Sequence, residues 1–485
     1  MVSQLRSVRF LGQNALVDVF IAAGIITAIA PAGQTPPLAD GIDGGGRFLT
    51  SGLWDEHVHM GQWAQQSTRF DVSAAGSASE ALELLAAGLS AATDSSEFVA
   101  VRARAGAWTD SLTRTALDAI SGPRPVVVIG GDLHGVWLNS AALAARGLPV
   151  AGGGHIVEDE CFALLREIDR LAPAELDALV ARAGKAAAAR GVVGIVDLEM
   201  RWSIDDWARR EASGFDLLRV EAAVYPDKLE ATIAAGHRTG DQIGSLGRLQ
   251  VGPLKIITDG SLGTNTAWCC DSYPSGGTGR SLVSAAELHA LMRRATTAGL
   301  ALTIHAIGDR AVTQVLDAYE ALGRGGRMEH AQLLCDEDLE RFAALGVTAS
   351  VQPEHLVDDR EAMAMHWPGR ERRTFPLATL HATGADIVLG SDAPVAPLDP
   401  WRWIQAAVLR ANPGEPAWGP EERLPVAVAL AASMRGPLRP GLGDAADLVL
   451  LDTDPLRADP NQLAQTRVAA TLLAGKVTHL ALDVP

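Results

Sequence analysis

From residue 49 onward, short apolar, β-rich segments alternate with longer Ala/Leu-rich stretches, and no other feature restricts the fold as much. A strand followed by a helical stretch returns the chain to the same edge direction, so repetition of this unit builds a parallel sheet with crossover helices. Eight segments fit: FLTSGLWDEH (48–57), GVVGIVDLE (191–199), DLLRVEAAVY (216–225), LQVGPLKIITD (249–259), GLALTIHA (299–306), GRMEHAQL (326–333), GVTASVQPEHL (346–356) and GADIVLGSD (384–392). Eight such units suggest a closed (β/α)8 barrel of the α/β class, with its active site at the C-terminal ends of the strands.

The connection between the first two segments is far longer than one crossover needs, so residues 61–190 are expected to hold an inserted subdomain with its own strand, PVVVIGGDLHG. The barrel proper then spans 48–440. Residues 1–47 and 441–485 are both strand-like, and two chain ends of similar character can close into one small sheet. The run DVFIAAGIITAIAPAGQ after Arg6 and Arg9 ends like a signal-peptidase site. Asp18 and the Ala23-Gly24 break divide it, however, into VDVFI and IITAIA, which reads as a β-hairpin. No apolar run approaches the ~20 residues a membrane span needs.

Composition narrows the partners. The 485-residue chain is 48% hydrophobic with a formal net charge of -17, enough to bury a large core and unsuited to nucleic acid or an anionic membrane. A small neutral or cationic ligand is expected instead. Cys161, Cys269, Cys270 and Cys335 show no C-x-x-C spacing, so neither a zinc knuckle nor a disulfide framework is indicated, and a cytoplasmic location is the simplest expectation. Apolar patches on the insert would suit a homo-oligomer.

His57 and His59 stand at i and i+2 on the first strand, so both would face the barrel axis at its mouth. The pair alone does not make a ligand site. His305 closes LTIH, His330 sits in RMEH and Asp392 closes IVLGSD, each at a later strand end. Together they form a nitrogen-rich set with one carboxylate, the preference of Zn²⁺, with Co²⁺, Mn²⁺ or Fe²⁺ also fitting. Lys255 is the odd member, since an ammonium cannot ligate a cation and is costly to bury. It is either salt-bridged to Asp259 or Asp392, or converted by CO₂ to an anionic carbamate able to bridge two metals.

These residues resemble the metal-dependent amidohydrolase superfamily, in particular its exoenzyme-like branch related to N-substituted formamide deformylase. The likeness runs through GLWDEHVHM, DLHGVWLNSAAL, LKIITDGSLGTNTA, LTIHAIGDRAV, RMEHAQLL, SVQPEHL, GSDAPVAPLDPW and the tail GDAADLVLLDTDP. It implies a distorted barrel, a small β-sandwich from both termini, and one or two divalent metals. It further implies that His57 and His59 ligate the first metal, His305 and His330 the second, that carboxylated Lys255 bridges them, and that Asp392 binds the first metal and moves the proton. Thr264 and Asn265 stand where the branch usually has Ser-Arg, and Trp268-Cys269-Cys270 follows, so substrate preference is expected to have drifted.

The chemistry implied is attack of a metal-activated hydroxide on an amide, N-substituted formamide or carbamate, with a thiocarbamate or ester meeting the same groups. His330 or His134 would support the oxyanion. Asp132, Trp137, Asp259, Trp268 and His355 lie in the same motifs and are expected to contact substrate. Trp54, Trp63, Trp137 and Trp268 near the motifs favour an apolar or aryl substrate. Deamination is disfavoured, because deaminases of this superfamily typically carry Glu where Gly308 stands here. A barrel that kept its metal only for binding is the remaining alternative.

Overall fold

The computed structural model describes residues 1–93, 96–150 and 153–482. All eight expected segments contribute a barrel strand: β1 (Leu53–Val58), β2 (Val192–Asp197), β3 (Arg219–Val224), β4 (Leu249–Ile257), β5 (Leu302–Ala306), β6 (Arg327–His330), β7 (Thr348–Val351) and β8 (Ile387–Leu389). They hydrogen-bond in sequence order, each parallel to the next. β1 and β2 are buried at every position, as expected of strands covered on both faces.

Closure runs through the segment just after β8. Asp392 N donates to His57 O (2.7 Å) and His59 N to Ala393 O (2.8 Å), which makes Val58 and Ala393 a parallel pair. Buried Asp55 reinforces the seam, accepting from the backbone N–H of His57 (3.1 Å) and Ser391 (2.9 Å) and from the Ser391 hydroxyl. Two strand ends bearing site residues are thereby held at fixed positions.

One segment differs from its sequence reading. Residues 48–57 do not form a single strand: Phe48–Ser51 pairs antiparallel with Leu448–Leu451 in the terminal sheet, and only Leu53–Val58 enters the barrel. The break falls at Gly52, where a Cβ would sit 2.3 Å from Val193 of β2, so only glycine lets the chain cross so close to the barrel wall. The terminal unit is a connected eight-strand sheet drawn from both chain ends, and it includes the hairpin Val17–Ala22 and Ile25–Pro31. It curls over an apolar core of its own that includes Leu5, Val19, Leu49, Leu448 and Leu472.

Within the long connection after β1, strands Phe70–Asp71, Phe98–Ala103, Val126–Gly130, Gly135–Leu138 and His155–Val157 form a separate five-strand sheet with apolar clusters including Leu85 and Val128 in one and Val127 and Leu165 in the other. Its loops overhang the barrel mouth: Asp132 accepts from Ser261 Oγ (2.6 Å), and Glu158 accepts from Thr264 (3.0 Å) and Thr266. Among the described residues no helix is long and apolar enough to cross a membrane.

Candidate metal centre

His57, His59, Lys255, His305, His330 and Asp392 line one small cavity at the barrel mouth, together with Asp132 and His134 from the insert. The rings of His57 and His330 are 4.9 Å apart, and those of His305 and His330 4.5 Å. Asp392 Oδ1 lies 3.2 Å from Nε2 of both His57 and His59. His330 and Asp392 have φ of 75° and 57°, left-handed values that non-glycine residues adopt mainly where surrounding structure holds them. That turn has a consequence in β6, where neighbouring residues should face opposite ways: Glu329 and His330 both reach His57.

Glu329 is the most informative residue that sequence reasoning passed over. His57 Nδ1 donates to its Oε2 (2.7 Å), fixing the tautomer that leaves the Nε2 lone pair toward the cavity. Glu329 also accepts from Thr303 and from Arg327 Nε (3.2 Å), and Arg327 continues to Glu56 (2.8 Å). Burial alone would raise the Glu329 pKa, but Arg327 and His57 hold it far below the usual carboxylate range. Its only signal in the sequence was its place beside His330. Tyr225, at the end of the β3 segment, was likewise unassigned; it lines the cavity and its hydroxyl donates to Leu198 O (2.7 Å).

Charge at the mouth is arranged unevenly. Burial lowers the pKa of His59, of His305 and most strongly of His330, which disfavours their protonated forms. Burial acts against ionisation of Asp392 too, yet the facing imidazoles, His57 first, overcome it and hold the carboxylate well below its ordinary value. At Lys255 burial outweighs the attraction of Glu329 and Asp392 and brings the amine down to about 8. Among the described residues Lys255 Nζ has no hydrogen-bond partner, so neither Asp259 nor Asp392 forms the salt bridge that was one of its two expected roles. His59 Nδ1 and His330 Nδ1 are also buried without partners.

A divalent cation suits these residues. His57, His330 and Asp392 each offer a ligand atom, all within 4.8 Å of one another, and imidazole nitrogens plus a carboxylate are a borderline metal's donor set. Orphaned buried polar atoms are costly unless a ligand satisfies them.

The remaining predicted residues are dispersed. His134 donates from Nδ1 to Glu158 Oε2 (2.9 Å); burial opposes its charge, but Glu158 and Asp132 prevail and raise its pKa. Trp137 and His355 line a second, larger chamber of about 270 Å³ between insert and barrel, which shares Asp132 and Val395 with the inner cavity. Asp259 sits behind the site, accepting from the backbone N–H groups of Trp268 (2.8 Å), Ile307 (3.1 Å) and Gly308 (2.9 Å). Trp268 lines neither cavity, its ring lying under Arg310. Trp54 is also remote, packed among Val193, Leu473 and the Arg435 guanidinium.

Comparison with known proteins agrees with this architecture. The chain is 28% identical over 416 residues to the putative amidohydrolase YtcJ of Bacillus subtilis, covering 76% of this chain and 77% of that protein. It is 29% identical over 220 residues to N-substituted formamide deformylase of Arthrobacter pascens, covering 41% of this chain and 40% of that protein. A crystal structure of an uncharacterized metal-dependent hydrolase from Pyrococcus horikoshii OT3 superposes with a TM-score of 0.76 at 23% identity, over 94% of this chain and 98% of that one, and shares the fold. The model of the amidohydrolase family matches residues 40–479, and with nearly the whole chain covered the protein belongs to that family.

Proposed function

We propose that this protein is a metal-dependent hydrolase that cleaves an amide-type bond, an amide, N-substituted formamide or carbamate, in a small molecule. The observation that carries the reading is the convergence of four imidazoles, Lys255 and Asp392 on one cavity at the C-terminal end of the barrel. His57, His59, His305, His330 and Asp392 would hold one or two divalent ions, Zn²⁺ first among them, and N6-carboxylated Lys255 would join two. Such an ion, when bound, supplies Lewis acidity toward a carbonyl and lowers the pKa of water.

The chain's own groups divide the remaining work. Asp392 takes the proton of the attacking water and returns it to the leaving nitrogen. Glu329 keeps His57 in one tautomer, and Arg327 keeps Glu329 ionised. His134, its charge favoured by Glu158, donates to the oxygen that becomes negative as the carbonyl is attacked. The unpartnered Lys255 amine supports carboxylation, because the neutral amine is the form that adds CO₂.

Deamination fits less well. A Cβ at Gly308 would lie 2.2 Å from Trp268 O, so the position where a deaminase's Glu would stand is closed to any side chain. A thiocarbamate or ester would meet the same groups and stays a second reading.

The test is metal content by elemental analysis, followed by turnover of N-benzylformamide, benzamide and a phenyl carbamate before and after chelation. Amide turnover lost on chelation and restored by Zn²⁺ or Co²⁺ is expected. A reconstituted, metal-loaded protein that cleaves none of them would sink the reading.

A further inference from the structure

The chamber between insert and barrel is not the apolar slot that the tryptophans near the motifs suggest. Two cations line it, but each is already spent: Arg104 Nη2 pairs with Asp358 (2.7 Å) and Arg102 Nη1 with Asp71 (3.1 Å). Asp359 is left over. Its half-buried carboxylate lines the chamber and, among the described residues, accepts no hydrogen bond and has no cation within 4.0 Å. Burial, then the neighbouring Asp358 and Asp132, push its pKa up to about 8, and Arg104, already paired with Asp358, offsets this only in part.

A second feature ties this chamber to the metal centre. His355 is nine-tenths buried in its wall, and its Nε2 has no hydrogen-bond partner. Gln332 Nε2 donates to His355 Nδ1 (3.3 Å), which leaves the ring proton on Nε2, 3.6 Å from Asp392 Oδ2. The chamber therefore offers a free acceptor at Asp359, and Trp108 and Trp137 are among the residues that line it, the Trp137 ring stacked on His155. Aromatic faces attract cations as well as apolar groups.

We propose that this chamber is the subsite for a cationic group of the substrate, an ammonium or amidinium on an aryl or alkyl body, and that Asp359 reads its charge. As a statement about substrate this rests on the hydrolase reading above. As a statement about binding it does not.

The experiment is isothermal titration calorimetry of the metal-loaded protein with benzylammonium and with its neutral isostere benzyl alcohol, in wild type and Asp359→Asn. Wild type is expected to bind the cation at least ~10-fold more tightly, a ratio that falls to about one in Asp359→Asn. Equal affinity in wild type, or a preference that survives Asp359→Asn, overturns the proposal. The wild-type ratio stands even if the variant fails to fold. Turnover of N-benzylformamide and of its 4-aminomethyl derivative separates the two claims: cleavage of both at equal kcat/KM overturns this inference alone, whereas cleavage of neither, with the calorimetric preference intact, overturns the hydrolase reading alone.

Discussion

Two polar clusters, one buried and one centred on a buried carboxylate, lie within a few residues of each other in this barrel, and they are built on opposite terms. At the mouth, Lys255 Nζ, His59 Nδ1, His330 Nδ1 and His355 Nε2 are all out of water without a partner. Beneath it, Glu56 accepts from Arg435 Nε (2.7 Å), Arg435 Nη2 (2.9 Å) and Arg327 Nη1 (2.8 Å), while Arg435 goes on to Glu221 and stacks 3.6 Å above the Trp54 ring. The lower cluster is closed upon itself. The upper one carries an uncompensated cost, and a domain retains such a cost where a ligand offsets it. The contrast separates groups that hold the site from groups that act in it.

Substitutions can break or sharpen that contrast. The largest expected effect is at the mouth: Asp392→Asn should keep most of the bound metal yet lower kcat by at least ~10³, read by steady-state kinetics beside elemental analysis. Near-normal turnover would remove Asp392 as proton carrier. In the lower cluster Glu56→Gln removes the charge of a buried carboxylate that accepts from two guanidinium groups, and should cost roughly 3 kcal/mol in urea denaturation.

Glu158 tests the contact between insert and barrel. Its carboxyl, acting against burial, is held at about 2 by His134, Thr266 and Thr264, against an ordinary 4.5. The folded chain therefore binds fewer protons than the unfolded one between these values, so the stabilisation is complete above pH 4.5 and lost as pH falls toward 2. Glu158→Gln should remove about 3 kcal/mol at neutral pH, with the difference from wild type vanishing on acidification. A pH-independent difference would show that packing, not charge, holds the insert there.

The smallest effect has the opposite sign. Lys255→Met replaces an unpartnered buried amine by an apolar side chain of similar length, so the metal-free chain should gain about 1–2 kcal/mol while losing bound metal and activity. Denaturation in the presence of chelator measures this. A loss of stability there would mean that Lys255 belongs with the closed cluster.

Much of this arrangement is written locally. Strand positions follow from apolar runs and their flanking glycines, and His57, His305, His330 and Asp392 are legible because strand ends of a parallel barrel all point to one face. Lys255 stood out because its charge contradicts the apolar strand around it. Glu329 was hidden by the alternation rule itself: beside a histidine facing the axis it should face away, and only the left-handed backbone at His330 brings both to His57. The crossing at Gly52 was hidden for a related reason, since it depends on Val193, which the sequence does not place beside it.

The sequence by itself determined the barrel, the order of its strands and the residue types gathered at its mouth, because periodicity and strand-end position are properties of a few consecutive residues. Only the tertiary structure decided which polar groups are satisfied. Arg104 meets Asp358 across 254 residues and Glu56 meets Arg435 across 379, whereas the Lys255 and Asp359 side chains have no hydrogen-bond partner among the described residues. Pairing energy depends on distance and burial in space, and neither is encoded in any short window of the chain.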